Sequence, residues 1–202
     1  RRAVDAGFRH LKLKLGEPGK LRDEVNGVVA LREQVGSSIG LRLDANGAWS
    51  TAELEQAWPS LAPLDIELFE EPGETSAPLP LALDESLQGL TEAQVDELLR
   101  RRRPRALVLK PTALGGLAHC QRLAALARGR GAGVVMSHCF DGPFAWRATA
   151  ALALALGGGS AHGLAPHAAL SGWQPAPLPV VHGWLKTWTE PGLGSPAEHG
   201  FR

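Results

Sequence analysis

The sequence predicts an α/β fold, a (β/α) barrel whose strands open onto one shared site. Three observations carry this. Short apolar runs alternate with stretches whose apolar residues recur at helical spacing. Six of the runs stop in a charged or polar residue: Lys14, Asp44, Glu70, Asp84, Lys110 and Ser137. Those ends lie 30, 26, 14, 26 and 27 residues apart, and one parallel strand–helix repeat takes about 25–30. Side chains gathered at the C-terminal ends of parallel strands are the habit of barrels.

Residues 1–7 read as the end of a helix closed by Gly7. With no initiator Met, this suggests a chain cut from a longer one. Residues 8–15 are strand-like, and 20–35 carry Leu21, Val25, Val28, Val29, Leu31 and Val35 on a helical face. A strand is expected at 39–46. Residues 50–61 form a helix in which Ser50 and Glu53 make a capping box. Strands follow at 65–71 and 79–86. The step between them is too short for a helix, so the Pro-rich 71–80 stretch crosses as a loop or single turn. A helix at 91–103 has Thr91 as N-cap and arginines in its last turn, where cations suit the dipole. Residues 105–111 form a strand, 116–131 a helix, 132–138 a strand, 143–158 a buried helix and 160–166 a seventh strand. Beyond lie loops rich in Pro, Gly and Trp.

Twenty-one basic and 21 acidic residues cancel, so no net field favours nucleic acid or an anionic membrane. A 44% hydrophobic, 21% charged composition is that of an ordinary globular domain. Cys120 and Cys139 form no CxxC pair, which argues against a zinc knuckle or redox motif, and reduced thiols in a cytoplasmic enzyme are expected. The longest apolar run, 148–156, is too short to span a bilayer. No GxGxxG or Walker sequence follows a strand, which disfavours a nucleotide-binding sheet.

Lys12 and Lys14 are two apart in a strand and share a face. They point inward if Leu11, Leu13 and Leu15 face the helices. Two buried ammoniums need carboxylates or a bound anion to offset them, and crowding lowers a lysine's pKa toward that of a base. K-x-K alone also fits a solvated edge strand. Asp44, Glu70 and Asp84 are oxygen donors without a His or Cys ligand set, which suits Mg2+ or Mn2+ over Zn2+. Singly, each has a simpler reading as a turn, an acidic loop or a cap. Their order at successive strand ends, with lysines before and after, is what points to a metal site. Lys110 stands where a core lysine is costly. It either pairs with acidic neighbours or faces Lys14 across a substrate.

The motifs HLKLKLG, LDANGAWS, LFEEP, LALDESL and LVLKPTALGG, in that order, resemble the enolase superfamily, in its muconate-cycloisomerase-like branch. The likeness is strongest to the o-succinylbenzoate synthases of menaquinone biosynthesis. It covers about residues 1–195. It implies a modified TIM barrel, (β/α)7β, represented by strands two to eight, the first strand and an N-terminal capping domain lying outside residues 1–202. It implies that Asp44, Glu70 and Asp84 ligate Mg2+, with Mn2+ as a substitute. Lys14 would abstract the α-proton of a small carboxylate and then help water leave. Lys110 would stabilise the anion from the opposite face. Lys12 and Asn46 would support the carboxylate and the metal, Ser137 would contact substrate, and Gly163 would leave room near its ring. The implied class is a carbon–oxygen hydro-lyase acting on a small-molecule carboxylate, without nucleic-acid or membrane partners, and compatible with a homo-oligomer. Dipeptide epimerases and N-acylamino acid racemases share these motifs and remain alternatives. A barrel fragment inactive by itself is a further one.

Overall fold

The computed structural model describes residues 1–75, 77–165, 180–186 and 192–193. Its elements follow in chain order as α1 (Arg2–Asp5), β1 (His10–Lys14), α2 (Leu21–Val35), β2 (Gly40–Asp44), α3 (Thr51–Leu61), β3 (Ile66–Glu70), β4 (Leu81–Leu83), α4 (Glu92–Arg102), β5 (Ala106–Leu109), α5 (Leu117–Gly129), β6 (Gly133–Met136), α6 (Pro143–Leu156), β7 (Val180–Val181) and β8 (Trp184–Leu185). Strands β1 to β6 form one parallel sheet in sequence order. This is a half-barrel. β7 and β8 pair as a small antiparallel hairpin.

Local chemistry accounts for the helix ends. Ser50 and Thr91 both complete capping boxes, with Glu53 and Gln94 as the reciprocal partners. α1 closes as a Schellman turn: Phe8 N–H donates to Ala3 O and Gly7 N–H to Val4 O, with Gly7 at φ +91°.

The seventh expected strand is reduced to one parallel bridge, Ser137 with Gly163, so the described sheet has six strands rather than seven. Residue 166 of that stretch lies outside the described residues. The apolar run in α6 is buried on one face only. Trp146, Ala150 and Ala153 pack inward while Leu154 is 55% exposed. Among the described residues no helix is long and apolar enough to cross a membrane.

The Glu70-to-Leu81 connection contains no helix among its described residues, as the short step required. It is pinned from both sides. Thr51 Oγ1 donates to Glu74 O at 2.9 Å, and Arg102 Nη2 donates to Gly73 O at 3.1 Å. Gly73 has φ +100°, and a Cβ there would sit 2.6 Å from Trp49 O, so no other residue fits.

Apolar packing divides into three layers. Outside β1–β3, Leu41, Leu43, Ile66 and Phe69 pack with Val28, Leu54 and Leu61 of α2 and α3. Outside β4–β6, Leu81, Leu83, Leu107, Leu109, Val134 and Met136 pack with α4, α5 and α6. Inside the sheet's curve, Leu68, Ala82, Ala106, Val108 and Val135 form a separate cluster. Alternate residues of each strand therefore serve opposite faces.

β3 breaks that alternation once. Leu41 pairs with Ile66 but Arg42 pairs with Leu68, so Glu67 is an extra residue, a bulge. Glu67 and Leu68 both turn inward. Glu67 accepts from Arg42 Nη2 at 2.5 Å and lies 2.6 Å from His10 Nδ1. Gly40 makes room for this, since a Cβ there would meet Glu67 Oε2 at 2.4 Å and His10 Nδ1 at 2.6 Å.

Burial opposes the charge of Glu67, but Arg42 and His10 outweigh it and hold the carboxyl below its ordinary range. Its stabilisation is therefore present above the unfolded carboxyl value of about 4.3 and is lost as pH falls through the lower folded value. Glu67→Gln is expected to cost about 2–3 kcal/mol at neutral pH by leaving Arg42 buried without its anion. Urea unfolding at pH 7 and in acid checks this, and a variant midpoint equal to wild type at pH 7 would refute it. Both cysteines are free, Cys120 buried and Cys139 exposed. Burial pushes the Cys120 thiol up to about 11. A thiol reagent added to the native chain should modify one equivalent, at Cys139, and peptide mapping reads the site.

Candidate active site

Six candidate side chains each follow an outward residue by one position, buried in every case but Leu13, which is half-buried. Leu13, Leu43, Phe69, Leu83, Leu109 and Met136 pack against the helices. Period-two alternation then turns Lys14, Asp44, Glu70, Asp84, Lys110 and Ser137 to the inner side. The register carries three of them across the sheet at one level. Lys14 pairs with Asp44, Asp44 with Glu70, and Glu70 with Ala82. Lys12 lies two residues back on the same face.

The structure brings acids and lysines into one network. Lys12 Nζ donates to Asp44 Oδ2 at 2.7 Å and to the two oxygens of Glu70 at 3.0 and 3.1 Å. Lys14 Nζ lies 2.5 Å from the same Asp44 Oδ2 and donates to Asn46 Oδ1 at 2.9 Å. Glu70 and Asp84 stand close enough to perturb each other's titration. Lys110 Nζ donates to Asp84 Oδ2 and lies 3.6 Å from Glu85 Oε1. The carboxylates are buried. The Lys110 side chain is 13% exposed and Lys12 34%. Lys14 is 59% exposed, so the expectation of two buried ammoniums holds only in part. Its position at the end of β1 leaves it at the rim.

Electrostatics follow from this wiring. Burial, the Asp84 hydrogen bond and the charges of Asp44 and Asp84 push Glu70 up to about 8, with Lys12 pulling the other way. Burial also raises Asp84, against the pull of Glu70 and Lys110 hydrogen bonds. Asp44 goes down, because hydrogen bonds and charge from Lys12 and Lys14 outweigh its burial. Burial disfavours the ammoniums of Lys12 and Lys110, yet their acidic partners outweigh it and raise both. The lowering by like charge expected of the Lys12 and Lys14 pair is thus reversed at Lys12, since it faces carboxylates rather than another cation.

The three carboxylates do not form a ready ligand cage. Among the described residues no three acidic, His or Cys side chains converge closely enough to hold a metal ion. The Lys12 ammonium sits between Asp44 and Glu70. The donor set is all carboxylate oxygen on adjacent strand ends, which fits Mg2+ or Mn2+ chemically. The lysine side chains have to withdraw to admit it.

Asn46 sits at φ +48°, its amide nitrogen donating to Asp44 Oδ1 at 3.1 Å and its Nδ2 to Glu85 Oε1 at 3.0 Å. It links the β2 and β4 ends. Ser137 Oγ donates to Gly163 O at 3.4 Å. A Cβ at Gly163 would meet that Oγ at 2.9 Å, so the space Gly163 leaves is taken by Ser137. Sequence reasoning missed two acids beside the site, Glu71 and Glu85. Each follows a candidate ligand by one residue, where alternation predicts an outward side chain. Only the left-handed φ of +42° at Glu71 and the turn after Asp84 reveal otherwise.

A parallel half-barrel with acids and lysines at its strand ends defines a class of (β/α)-barrel protein. The model of the Enolase C-terminal domain-like family matches residues 1–198, and the chain belongs to that family, within the enolase superfamily. Among curated relatives, an o-succinylbenzoate synthase of Desulfotalea psychrophila is 34% identical over 139 residues, covering 63% of this chain and 38% of the relative. The solved structure of MenC from Desulfotalea psychrophila LSv54 superposes with a TM-score of 0.81 at 27% identity, covering 90% of this chain and 53% of that one. A dipeptide epimerase of Enterococcus faecalis V583, solved with Mg and the dipeptide L-Leu-L-Tyr, matches with a TM-score of 0.66 at 28% identity, covering 75% and 45%. The chain thus spans well under two thirds of these relatives' lengths. Relatives in the superfamily are lyases and isomerases, which supports an enzyme.

Lys12→Met tests the counter-charge. It leaves Asp44 and Glu70 facing each other without their shared cation, and is expected to cost about 1–3 kcal/mol in metal-free buffer, after discounting for partial exposure. Urea unfolding with a chelator present reads it. A wild-type midpoint would show that the ammonium does not hold the acids together.

Proposed function

We propose that this chain forms the catalytic barrel of an o-succinylbenzoate synthase. The reaction is syn-dehydration of 2-succinyl-6-hydroxy-2,4-cyclohexadiene-1-carboxylate to 2-succinylbenzoate. The observation that carries the reading is the single network joining Asp44, Glu70 and Asp84 to Lys12, Lys14 and Lys110 at consecutive strand ends. The likeness to o-succinylbenzoate synthases supports the substrate. The metal is proposed as Mg2+, held by Asp44, Glu70 and Asp84. When bound, it supplies positive charge that binds a substrate carboxylate and stabilises charge developing on it.

Lys14 acts as base at the α-carbon, taking the proton as the C–H bond breaks. The electrons are first held on the substrate carboxylate as an enediolate, and then form the new double bond as the C–O bond to the hydroxyl breaks. Lys14 returns its proton to the departing hydroxyl, and water leaves. Its exposure at the rim suits it to meet a substrate entering from the open end. Lys110 keeps its ammonium on the far side and stabilises the anion. Lys12 and Asn46 orient the carboxylates. A capping domain and a first barrel strand outside these 202 residues would complete the pocket.

A second reading rests on lysines at both flanks of the acids and on the likeness to a dipeptide epimerase. There Lys14 and Lys110 exchange protons on opposite faces of an amino-acid α-carbon. Solvent deuterium entering N-acylamino acids or dipeptides favours this reading, and its absence alongside dehydration favours the synthase.

With Mg2+ and the cyclohexadiene substrate, a longer chain carrying the capping domain is expected to form the aromatic product. Chelation abolishes it, and Lys14→Ala lowers kcat by about 10²–10⁴-fold. Wild-type turnover by Lys14→Ala would remove the base from this scheme.

A further inference from the structure

We propose that Glu71 is a positioning residue that sets Asp84 and ties the ends of β2, β3 and β4 into one frame. This rests on the reading of Asp44, Glu70 and Asp84 as metal ligands. Glu71 is buried. Its Oε1 accepts from three donors of one turn: Asp84 N–H at 2.7 Å, Ser86 N–H at 3.0 Å and Ser86 Oγ at 2.5 Å. Hydrogen bonds to a carboxylate are stronger than neutral ones, so this turn is gripped. Its backbone reaches the other two strands. Gly47 N–H donates to Glu71 O at 2.8 Å, just beyond Asp44, and Glu71 N–H donates to Ala82 O at 3.0 Å, within β4.

Two unfavourable backbone conformations accompany this arrangement. Glu71 has φ +42°, the left-handed region that side chains avoid. Strand alternation would send the residue after Glu70 outward, toward the apolar layer of Trp49 and Phe69. The left-handed turn redirects its carboxylate along the strand ends instead. Asp84 has φ −130° and ψ −87°, outside the main allowed wells. Such conformations persist only where the surroundings over-determine them. Glu71 supplies that constraint at Asp84 through the Asp84 amide. A surface turn needing only an anchor requires neither the buried acid nor its link to Gly47.

The test compares Glu71→Gly, which removes the carboxylate while accepting the positive φ, with Glu71→Gln, which keeps an acceptor oxygen. Amide hydrogen exchange at residues 84–86 is measured on the full chain without metal, and Mn2+ affinity by calorimetry. In Glu71→Gly, exchange at 84–86 is expected to rise by about tenfold or more. Mn2+ should bind about 10–100-fold more weakly at a temperature where the variant is still folded by circular dichroism. Glu71→Gln should return both to within about threefold. Unchanged exchange in Glu71→Gly would overturn the proposal. Faster exchange with unchanged Mn2+ affinity would reduce Glu71 to an anchor of the turn and overturn its link to the site. If wild type binds no Mn2+, the metal reading fails, and exchange alone then decides whether Glu71 sets Asp84. If Glu71→Gly does not fold, Ser86→Ala carries the same comparison. It removes one of the three donors and should raise exchange at 84–86 without unfolding the chain.

Discussion

Everything at this site depends on crowding like charges without letting them repel the strands apart. Asp44, Glu70 and Asp84 are buried side by side, at a cost that grows as water is excluded. Lys12 offsets two of them, Lys14 a shared one, and Lys110 the third. Burial and the flanking acids Asp44 and Asp84 still push Glu70 up to about 8, against the pull of Lys12. Each of the three acids thus has an ammonium beside it.

That balance is possible because the sheet keeps two chemistries apart by alternation alone. Leucines on one side seal the strands to the helices, and the next residue of each strand end reaches inward. The small interior residues Ala82, Ala106 and Val108 leave the upper layer room to gather charge. Packing and electrostatics thus share the same strands without sharing a face.

Much of this was legible in the chain. Terminal charges on apolar runs mark the ends of β1 to β5, because a residue buried on the helix side forces its neighbour to the other. Capping boxes at Ser50 and Thr91 announce the helix starts, since their hydrogen bonds are local. The 14-residue step between Glu70 and Asp84 already excluded a helix. What could not be read depends on long-range geometry. Residues around Gly163 look like a strand, yet only one bridge to Ser137 forms. Lys12 was expected to titrate low beside Lys14, and Lys110 to be a costly core lysine. Their acidic neighbours, set by register rather than sequence distance, raise them instead. The role of Glu71 hides behind a single left-handed dihedral.

The extra residue at Glu67 has a consequence for the whole upper layer. Counted straight from the Leu41–Ile66 pairing, Asp44 would stand level with Phe69, which belongs to the helix side. The inserted residue advances β3 by one step, so that Glu70 stands level with Asp44 and faces the same way. It acts as a phase corrector between two strands that would otherwise run out of step. A straight pairing that took Glu67 into the ladder would keep the strands and helices but set the Phe69 ring at the level where Glu70 now stands.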